Sequence, residues 1–487
     1  MGAMTDPAQP TRAAAAATAR ATFAELSEGR SFPPMSGRKP VDLAAAGFVE
    51  SEWVVSGEAA SFDVAATPGD GRFELTVADS APYATRVLVR RPADPARFSG
   101  VVLVEWLNVS GGQDAAPDWT YLSGEILRAG HVWVGVSAQY IGVAGGEAAV
   151  AMGGQTQGMR QASPQRYGDL HHPGDAYAYD IVTQVGRYAQ EPVDADGEPT
   201  GPIGDLRPET VIAVGESQSA YALTSYINGV HAGVNPGAGV FDAFLLHSRG
   251  AGFLPFDDRG RGADIRSSLG VGPARLREDV GVPVLVVQAE GDLTGLLAAL
   301  PARQPDSEWI TTWEIAGQAH ADAFQLGRFT RFVDCQGPVN SGQQVFVLRA
   351  GLSHLITWAG GGARPPAAPP IEMDDDNDDD NAGRPPAGSS ASPDECGNRR
   401  GGVRTPIVEA PVEHLTGDVH PEAPPMCMLL GRTVAVDDEV LRGRWRSREE
   451  YLAAYAEATD RLIAEGFLLA EDREEILADA RPERITW

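Results

Sequence analysis

A serine flanked by small residues stands at the junction between an apolar run and a helical pattern. Ser217 follows the β-rich run Thr210–Gly215 and precedes the amphipathic stretch Gln218–Val230. When a strand turns sharply into a helix at a serine, the hydroxyl is exposed above the sheet. Small residues two positions away on each side then permit the close approach of strand and helix. Gly215 meets this requirement, and Ser219 stands where a second glycine is more usual. The pattern predicts a nucleophilic Ser217, with a serine in an ordinary turn as the alternative.

A serine nucleophile needs a base that takes its proton, and in this arrangement the chain order is serine, then acid, then histidine. His320 follows the last short β-rich run, Thr311–Ile315, in a glycine-containing loop. It is predicted to be the base, and a surface histidine in a loop is the alternative. The acid is expected after the run Pro283–Gln288, where Glu290 and Asp292 both qualify. Either carboxylate would fix the tautomer of the imidazole and stabilise the imidazolium, so the sequence leaves this choice open.

A tetrahedral intermediate also needs hydrogen-bond donors for its oxyanion. The backbone N–H of Gln218, at the N-terminus of the predicted helix, is one candidate. The second is expected in the glycine-containing loop after the apolar run Gly100–Asn108. The candidates there are the N–H of Leu107, the N–H of Asn108 and the side-chain amide of Asn108. A plain glycine loop is the alternative.

Five further side chains are candidates for lining a substrate pocket. Gln139 and Tyr140 follow a predicted strand, His172 precedes a predicted helix, and His247 ends a predicted strand. These four are therefore expected at the active-site edge of the sheet. Arg404, at the end of a Gly-Gly-Val-Arg stretch, is a candidate partner for a substrate carboxylate. A structural ion pair is the alternative for Arg404.

The elements that must position these residues alternate between strand and helix from about residue 82 to residue 330. The β-rich runs are Pro82–Arg91, Gly100–Asn108, His131–Gln139, Thr210–Gly215, Phe241–His247, Pro283–Gln288 and Thr311–Ile315. The helical patterns are Pro117–Ala129, a stretch within His172–Gln190, and Gln218–Val230. Such alternation predicts an α/β fold, with a mostly parallel central sheet flanked by helices.

Composition divides the chain into four regions. Residues 1–45 are predicted to form an N-terminal arm, and residues 46–360 the α/β core. Residues 361–395 are rich in Pro, Gly and Asp, and the like charges at 374–380 favour a flexible insert. Residues 396–487 are predicted to form a C-terminal extension packed on the core, as a lid or as part of the pocket. Its clearest element is the helical pattern Arg448–Glu465, with Tyr451, Leu452 and Tyr455 on its apolar face.

Charge and cysteine content limit the classes of partner. The formal net charge of −28 repels phosphate backbones, so no nucleic acid is expected as a partner. No apolar run of about 18 residues predicts a membrane span. The expected location is cytoplasmic, with export left open if a leader was removed ahead of the first residue. Three buried thiols are favoured for Cys335, Cys396 and Cys427, with a disulfide from Cys335 to Cys427 or Cys396 as the alternative. No metal or organic cofactor is expected, and no oligomeric state is indicated.

The most distinctive stretches of the chain are VEWLNVSGGQDAAPDW, VGVSAQYIGV, HHPGDAYAYDIVTQ, VGESQSA, RQPDSEW, WEIAGQAHAD and GNRRGGVRTP. Together they resemble a bacterial family of α/β-hydrolase-domain proteins of about this length. The resemblance extends from about residue 50 to the C-terminus and is interrupted by the acidic insert. It implies the α/β-hydrolase fold, with Ser217 and His320 at the motif positions of nucleophile and base. It implies little about the substrate, because a fold is a weak guide to the reaction.

The residues and the resemblance lead to the same expected chemistry. The chain is predicted to be a serine hydrolase that cleaves a small-molecule carboxylic ester or lactone through an acyl-enzyme. Acyl transfer or amide cleavage on the same triad is one alternative. A non-catalytic binding protein that keeps the fold is another. The acyl and alcohol groups are not indicated by the sequence.

Overall fold

One sheet runs through the centre of the computed structural model, which describes residues 20–149, 157–194, 196–234, 239–269, 271–373 and 393–487. Within these residues nine strands pair in the order β1-β2-β3-β5-β4-β6-β7-β8-β9. Their bounds are Thr22–Glu25 (β1), Phe48–Ala66 (β2), Glu74–Pro92 (β3), Val101–Trp106 (β4), Val132–Val136 (β5), Thr210–Glu216 (β6), Ala243–His247 (β7), Val284–Ala289 (β8) and Ile310–Ile315 (β9). Strands β4 to β9 are parallel to one another, whereas β1, β2 and β3 pair antiparallel, and β3 also pairs antiparallel with β5. The predicted α/β fold with a mostly parallel sheet is confirmed.

Helices cover both faces of the sheet. The longer ones are Pro117–Ala129 (α1), Ala178–Gln190 (α2), Gln218–Ser225 (α3), Gln344–Ala359 (α4), Asp438–Arg444 (α5) and Arg448–Glu465 (α6). The π-helix Tyr226–Val234 continues α3. Single α-helical turns lie at Tyr140–Ala144, Met159–Ala162, Pro164–Tyr167, Ile265–Ser268, Glu290–Leu293, Ala323–Leu326, Pro406–Glu409 and Arg473–Ala478. Helix α1 has its predicted bounds, because Pro117 fixes its first turn and Gly130 ends it at φ 77°.

Alternating side chains of the central strands fill two separate cores. Strand β4 is buried along its whole length, and its Val102 and Val104 pack on the side covered by α2 and α3. Leu103 packs on the opposite side with α1, α4 and the C-terminal region. A strand buried on both faces appears as a continuous apolar run, which is why the sequence predicts it well.

No helix in the described ranges is both long enough and apolar enough to span a membrane.

The C-terminal region shares a core with the sheet. Tyr451 and Tyr455 of α6 are fully buried in the cluster that also holds Trp313 of β9. Leu452 is 41% exposed and lies off the buried face, unlike its neighbours in the predicted apolar stripe. A separate two-stranded antiparallel ribbon forms from Glu413–Thr416 (β10) and Arg432–Ala435 (β11). The acidic run predicted to be a flexible insert and the first 19 residues of the predicted N-terminal arm lie outside the described residues.

Two of the three cysteines form a disulfide. Cys335 and Cys427 are joined over a sequence separation of 92 residues, and Cys396 is a buried free thiol. The favoured expectation of three thiols is therefore wrong for this pair, because the fold brings two distant loops together. The disulfide lies in a small apolar cluster with Leu326 and Leu430.

Removing the disulfide should destabilise the protein. Closing a loop of this length restricts the unfolded chain, so the double variant Cys335→Ser/Cys427→Ser should lose about 2–4 kcal/mol in its free energy of unfolding. Denaturant titration measures the loss, and Cys396→Ser is the matched control that leaves the bond intact. Titration of thiols in the denatured wild-type chain should find a single reactive cysteine. Three reactive thiols would contradict the bond.

Candidate active site

Ser217 lies in a sharp turn between β6 and α3. Its backbone has φ 57° and ψ −119°, a region that residues with a side chain rarely adopt. A Cβ added at Gly215 would lie 3.0 Å from both the carbonyl carbon and the Cβ of Ser219. Glycine at 215 and a small residue at 219 therefore fit the tight crossing of strand and helix. The turn leaves Ser217 at the wall of a cavity.

His320 connects Ser217 to a carboxylate. Its Nε2 lies 2.9 Å from Ser217 Oγ, and its Nδ1 lies 2.7 Å from Asp292 Oδ1. The three residues follow the carboxyl ends of β6, β9 and β8. His320 is 3% exposed and Asp292 is fully buried, so these hydrogen bonds are shielded from water. A hydroxyl, an imidazole and a carboxylate in this sequence of contacts can activate a serine oxygen.

Glu290, the other candidate acid, does not contact the imidazole. One of its carboxylate oxygens accepts a hydrogen bond from the Gly317 N–H at 2.8 Å. The other accepts hydrogen bonds from the Thr416 hydroxyl at 3.1 Å and the Gly417 N–H at 3.2 Å. The expectation that Glu290 could pair with His320 is therefore contradicted by the geometry. Residues two apart on one helical turn point in different directions, and the carboxylate nearer the strand end faces the loop backbone.

Two buried carboxylates hold the loops from which the site is built. Asp292 uses its second oxygen to accept the Ala289 N–H at 2.6 Å, which closes its own turn. Asp322, two residues after His320, accepts hydrogen bonds from the Gln325 N–H at 2.9 Å and the Tyr121 hydroxyl at 3.0 Å. The sequence contains a signal for this role, since Asp followed three residues later by Gln is typical of a helix start.

The electrostatics of the site favour a charged His320. Burial lowers the pKa of His320, but the Asp292 carboxylate, together with Glu216, outweighs it and leaves the pKa raised above its usual value. Glu216 Oε1 lies 3.5 Å from His320 Nε2. Burial raises the pKa of Glu216, and His320 and His247 lower it in part. Glu216 lies within the serine turn, and nothing in the local sequence predicts a role for its side chain.

The loop after β4 does not supply the oxyanion donors that the sequence predicts at Leu107 and Asn108. The Leu107 N–H donates to Val136 O at 3.1 Å, and the Asn108 N–H donates to Ala115 O at 3.0 Å. The Asn108 side-chain amide donates to Glu216 O at 3.0 Å and to Glu216 Oε2 at 3.2 Å. All three predicted donors are therefore engaged in holding the loop and the serine turn. The Gln218 N–H lies in the first turn of α3, where backbone donors have no partner within the helix.

Three of the five predicted pocket residues do not line the cavity at Ser217. Gln139 accepts a hydrogen bond from the Gln218 side chain and donates to Asp175 at 3.0 Å, so it supports the serine turn from behind. His172 is buried with Nε2 at 2.8 Å from Ala138 O. Tyr140 lines a different cavity.

The remaining two candidates contact carboxylates of the protein itself. His247 is buried with Nδ1 at 3.1 Å from Asp118 Oδ1. Arg404 pairs with Asp394 at 2.7 Å and with Glu409 at 2.6 Å, and it does not line the cavity at Ser217. The ion-pair alternative for Arg404 is the one that the structure favours.

The cavity beside Ser217 has a volume of about 150 Å³ and walls from distant parts of the chain. It is lined by Met35, Ser36, Gly37, Asn108, Ser110, Gly111, Ala115, Pro117, Thr120, Glu216, Ser217, His320, Ala321, Gln325, Leu326, Phe329, Leu429 and Leu430. Most of this surface is apolar, and no Lys or Arg is among these described lining residues. The sequence predicts the C-terminal extension as a lid or as part of the pocket, and Leu429 and Leu430 come from that region. The sequence does not predict the N-terminal contribution of Met35, Ser36 and Gly37, because nothing in a local pattern shows which distant segments meet. Among the residues with described positions, no group of three or more His, Cys, Asp or Glu could hold a metal ion.

Comparisons with known proteins show the family to which the chain belongs. Among solved structures, similar chains include an α/β serine hydrolase without lid from Xanthomonas campestris (13% identity, covering 61% of this chain and 94% of that chain, TM-score 0.29). A glucuronoyl esterase from Solibacter usitatus is 13% identical (67% and 86% covered, TM-score 0.27). A fungal esterase from Rhizomucor miehei is 12% identical (68% and 99% covered, TM-score 0.32). No curated protein matches significantly. The sequence profile described as "Alpha/beta hydrolase domain" matches residues 7–478, and the chain belongs to that family.

Proposed function

We propose that this protein is a serine hydrolase that cleaves small carboxylic esters or lactones through an acyl-enzyme. The observation that carries the proposal is the continuous contact from Ser217 Oγ through His320 to Asp292, at 2.9 Å and 2.7 Å. The strained backbone at Ser217 supports it, because rarely populated conformations persist where surrounding structure holds them for a function.

The proposed reaction has two halves. His320 Nε2 accepts the Ser217 proton as Oγ bonds to the carbonyl carbon, and the carbonyl oxygen becomes an oxyanion. The Gln218 N–H stabilises that oxyanion. The Gly111 N–H at the same cavity is the candidate for a second donor, since the N–H and hydroxyl of Ser110 both donate to Asn108 Oδ1. Collapse of the intermediate breaks the bond to the alcohol oxygen, which takes the proton from His320. Water then attacks the acyl-enzyme by the same path and regenerates Ser217.

Asp292 is proposed as the acid of the triad. Its hydrogen bond to Nδ1 fixes the tautomer in which Nε2 can accept the serine proton. Its charge stabilises the imidazolium that forms in the transition state. Because Asp292 also accepts the Ala289 N–H, the carboxylate is held in place before substrate arrives.

The cavity indicates the class of substrate. A small volume lined by Met35, Leu326, Phe329 and Leu430 suits short apolar groups. Glu216 places a carboxylate at the same wall, and no cation lines it among the described residues. A substrate carboxylate would be desolvated without a partner there, which is costly. We infer an uncharged substrate.

The disulfide favours one cellular compartment for the protein over another. Disulfides persist in oxidising environments and are rare in the cytosol. The Cys335–Cys427 bond therefore favours an exported protein over the cytoplasmic location expected from sequence.

Replacing the nucleophile should abolish the reaction. Ser217→Ala should lower turnover of p-nitrophenyl butyrate by about 10⁴-fold or more, because no other group can form the acyl-enzyme. A fluorophosphonate probe should label Ser217 in the wild-type chain, as read by peptide mass spectrometry. Unchanged turnover in a folded Ser217→Ala variant, or labelling at a different serine, would refute the proposal. Competing alcohols and amines in the same assay would reveal acyl transfer as the main reaction.

Two isosteric variants separate the acids. Asp292→Asn should lower kcat by about 10⁴-fold, because the imidazole loses its tautomer and its counter-charge. Glu290→Gln should instead lower the free energy of unfolding by about 1–3 kcal/mol, since it weakens hydrogen bonds to buried loop amides. Kinetics and denaturant titration on both variants make the comparison. Equal losses of kcat in the two folded variants would contradict the assignment.

Substrate charge should matter strongly. The p-nitrophenyl ester of butyrate and the p-nitrophenyl hemiester of succinate have acyl chains of similar length and release the same alcohol. We expect kcat/KM to be about 10–100-fold lower for the succinate ester. Its carboxylate would be buried against apolar side chains beside Glu216, with no cation to compensate its charge. Steady-state kinetics at low salt measures the ratio. Equal values would show that the cavity accommodates anions.

A further inference from the structure

The serine site contains a second carboxylate that the proposed triad does not use. We infer that Glu216 is a second acidic partner of His320, which stabilises the imidazolium formed during attack and sets the pH range in which Ser217 reacts. This inference rests on the proposed function, since it concerns the same base. In this role Glu216 is a positioning residue, because it acts through His320.

The contacts of Glu216 point its carboxylate at the reacting nitrogen. Oε1 lies 3.5 Å from His320 Nε2, the atom that also faces Ser217 Oγ. Oε2 accepts a hydrogen bond from Asn108 Nδ2 at 3.2 Å, and the same amide also donates to the Glu216 carbonyl. Asn108 therefore holds one carboxylate oxygen while the other remains directed at the imidazole. Glu216 is 3% exposed, so little water screens this charge.

The contact discriminates between the two states of the base. Neutral His320 presents a lone pair at Nε2, which a nearby carboxylate does not stabilise. After the Ser217 proton arrives, the same nitrogen carries N–H and positive charge, and Glu216 Oε1 then faces a cation. An interaction that strengthens only as charge develops lowers the barrier and not merely the energy of the bound state.

Other titratable groups surround the pair. Asp292 after β8 contacts His320 at Nδ1, and His247 on β7 is the register neighbour of Glu216. Asp118 and Tyr121 on α1 and Asp322 after β9 face the same region. A positive charge on His247 would repel the imidazolium of His320 and lower the pKa of Glu216. The negative charge of Asp118 instead raises the pKa of Glu216. Burial lowers the pKa of His247 itself, which limits its charge near neutral pH.

The test follows the pH dependence of Ser217 labelling. The second-order rate constant for a fluorophosphonate without titratable groups should rise with pH as His320 loses its proton. In Glu216→Gln, which keeps shape and removes charge, the imidazolium is less stable, so the midpoint should move to lower pH by about one to two units. The rate on the alkaline plateau should fall about tenfold, since one pKa unit corresponds to that factor.

Two further variants make the result specific. Glu290→Gln removes a buried carboxylate that does not touch the imidazole, so its midpoint should match the wild type. Glu216→Asp keeps the charge but withdraws it by one methylene, so its midpoint should fall below the wild-type value. It also provides the comparison if Glu216→Gln does not fold, as judged by circular dichroism.

The outcomes separate this inference from the proposed function. A wild-type midpoint retained in folded Glu216→Gln, or in folded Glu216→Asp when Glu216→Gln does not fold, would overturn the inference alone. An equal shift in Glu290→Gln would also overturn it, because the effect would then be a general loss of buried charge. Absence of labelling at Ser217 in the wild-type chain would overturn the proposed function and, with it, this role for Glu216.

Discussion

A single imidazole must lie within hydrogen-bond distance of both a serine hydroxyl and a carboxylate, and this requirement relates three strands to one another. His320 meets it through contacts of 2.9 Å to Ser217 and 2.7 Å to Asp292. The last residue of β6, Glu216, is level with the last residue of β7, whereas β8 and β9 both extend two residues beyond that level. At about 3.3 Å per residue, this stagger raises the acid and the base above the serine turn. The register of a parallel sheet therefore sets the distances on which the chemistry depends.

Holding such loops in place requires buried polar groups, and several of them here are acidic. Glu290 binds the amides of the His320 loop and of the C-terminal ribbon, and Asp322 binds a helix start and a tyrosine hydroxyl. Hydrogen bonds from several N–H groups offset the free-energy cost of burying a carboxylate. A buried backbone amide without such an acceptor would destabilise the fold. The same choice of acceptors gives the site an excess of negative charge. That excess favours an imidazolium and disfavours an anionic ligand, so structural support and proposed selectivity have one origin.

The sequence predicts the parallel strands β4 to β9 well, because a strand buried on both faces appears as an uninterrupted apolar run. It does not predict β1 or β2, which are antiparallel and are partly exposed along their length. It predicts the serine turn because Ser217 comes directly after β6, and it predicts the histidine because His320 lies in the loop that follows the last strand, β9. It does not distinguish Asp292 from Glu290, because residues two apart differ only in the direction that a short helical turn gives them. Nor does it show that the Asn108 amide holds Glu216, because a glycine-rich loop can direct its donors inward or outward. Local patterns locate the strand ends, and tertiary contacts decide what each side chain does there.

The division between core and extensions explains why substrate is harder to infer than mechanism. The residues of the proposed triad follow strand ends, whereas the cavity wall includes Met35 from the N-terminal arm and Leu429 from the C-terminal region. Two residues before Leu429, Cys427 is tied to Cys335, which follows the segment that carries Phe329. The disulfide thus joins two walls of the same small cavity, and a change in either loop would reshape it without altering the triad. Because this wall lies outside the central sheet, the sheet positions the proposed triad, whereas the shape of the cavity depends on the extensions.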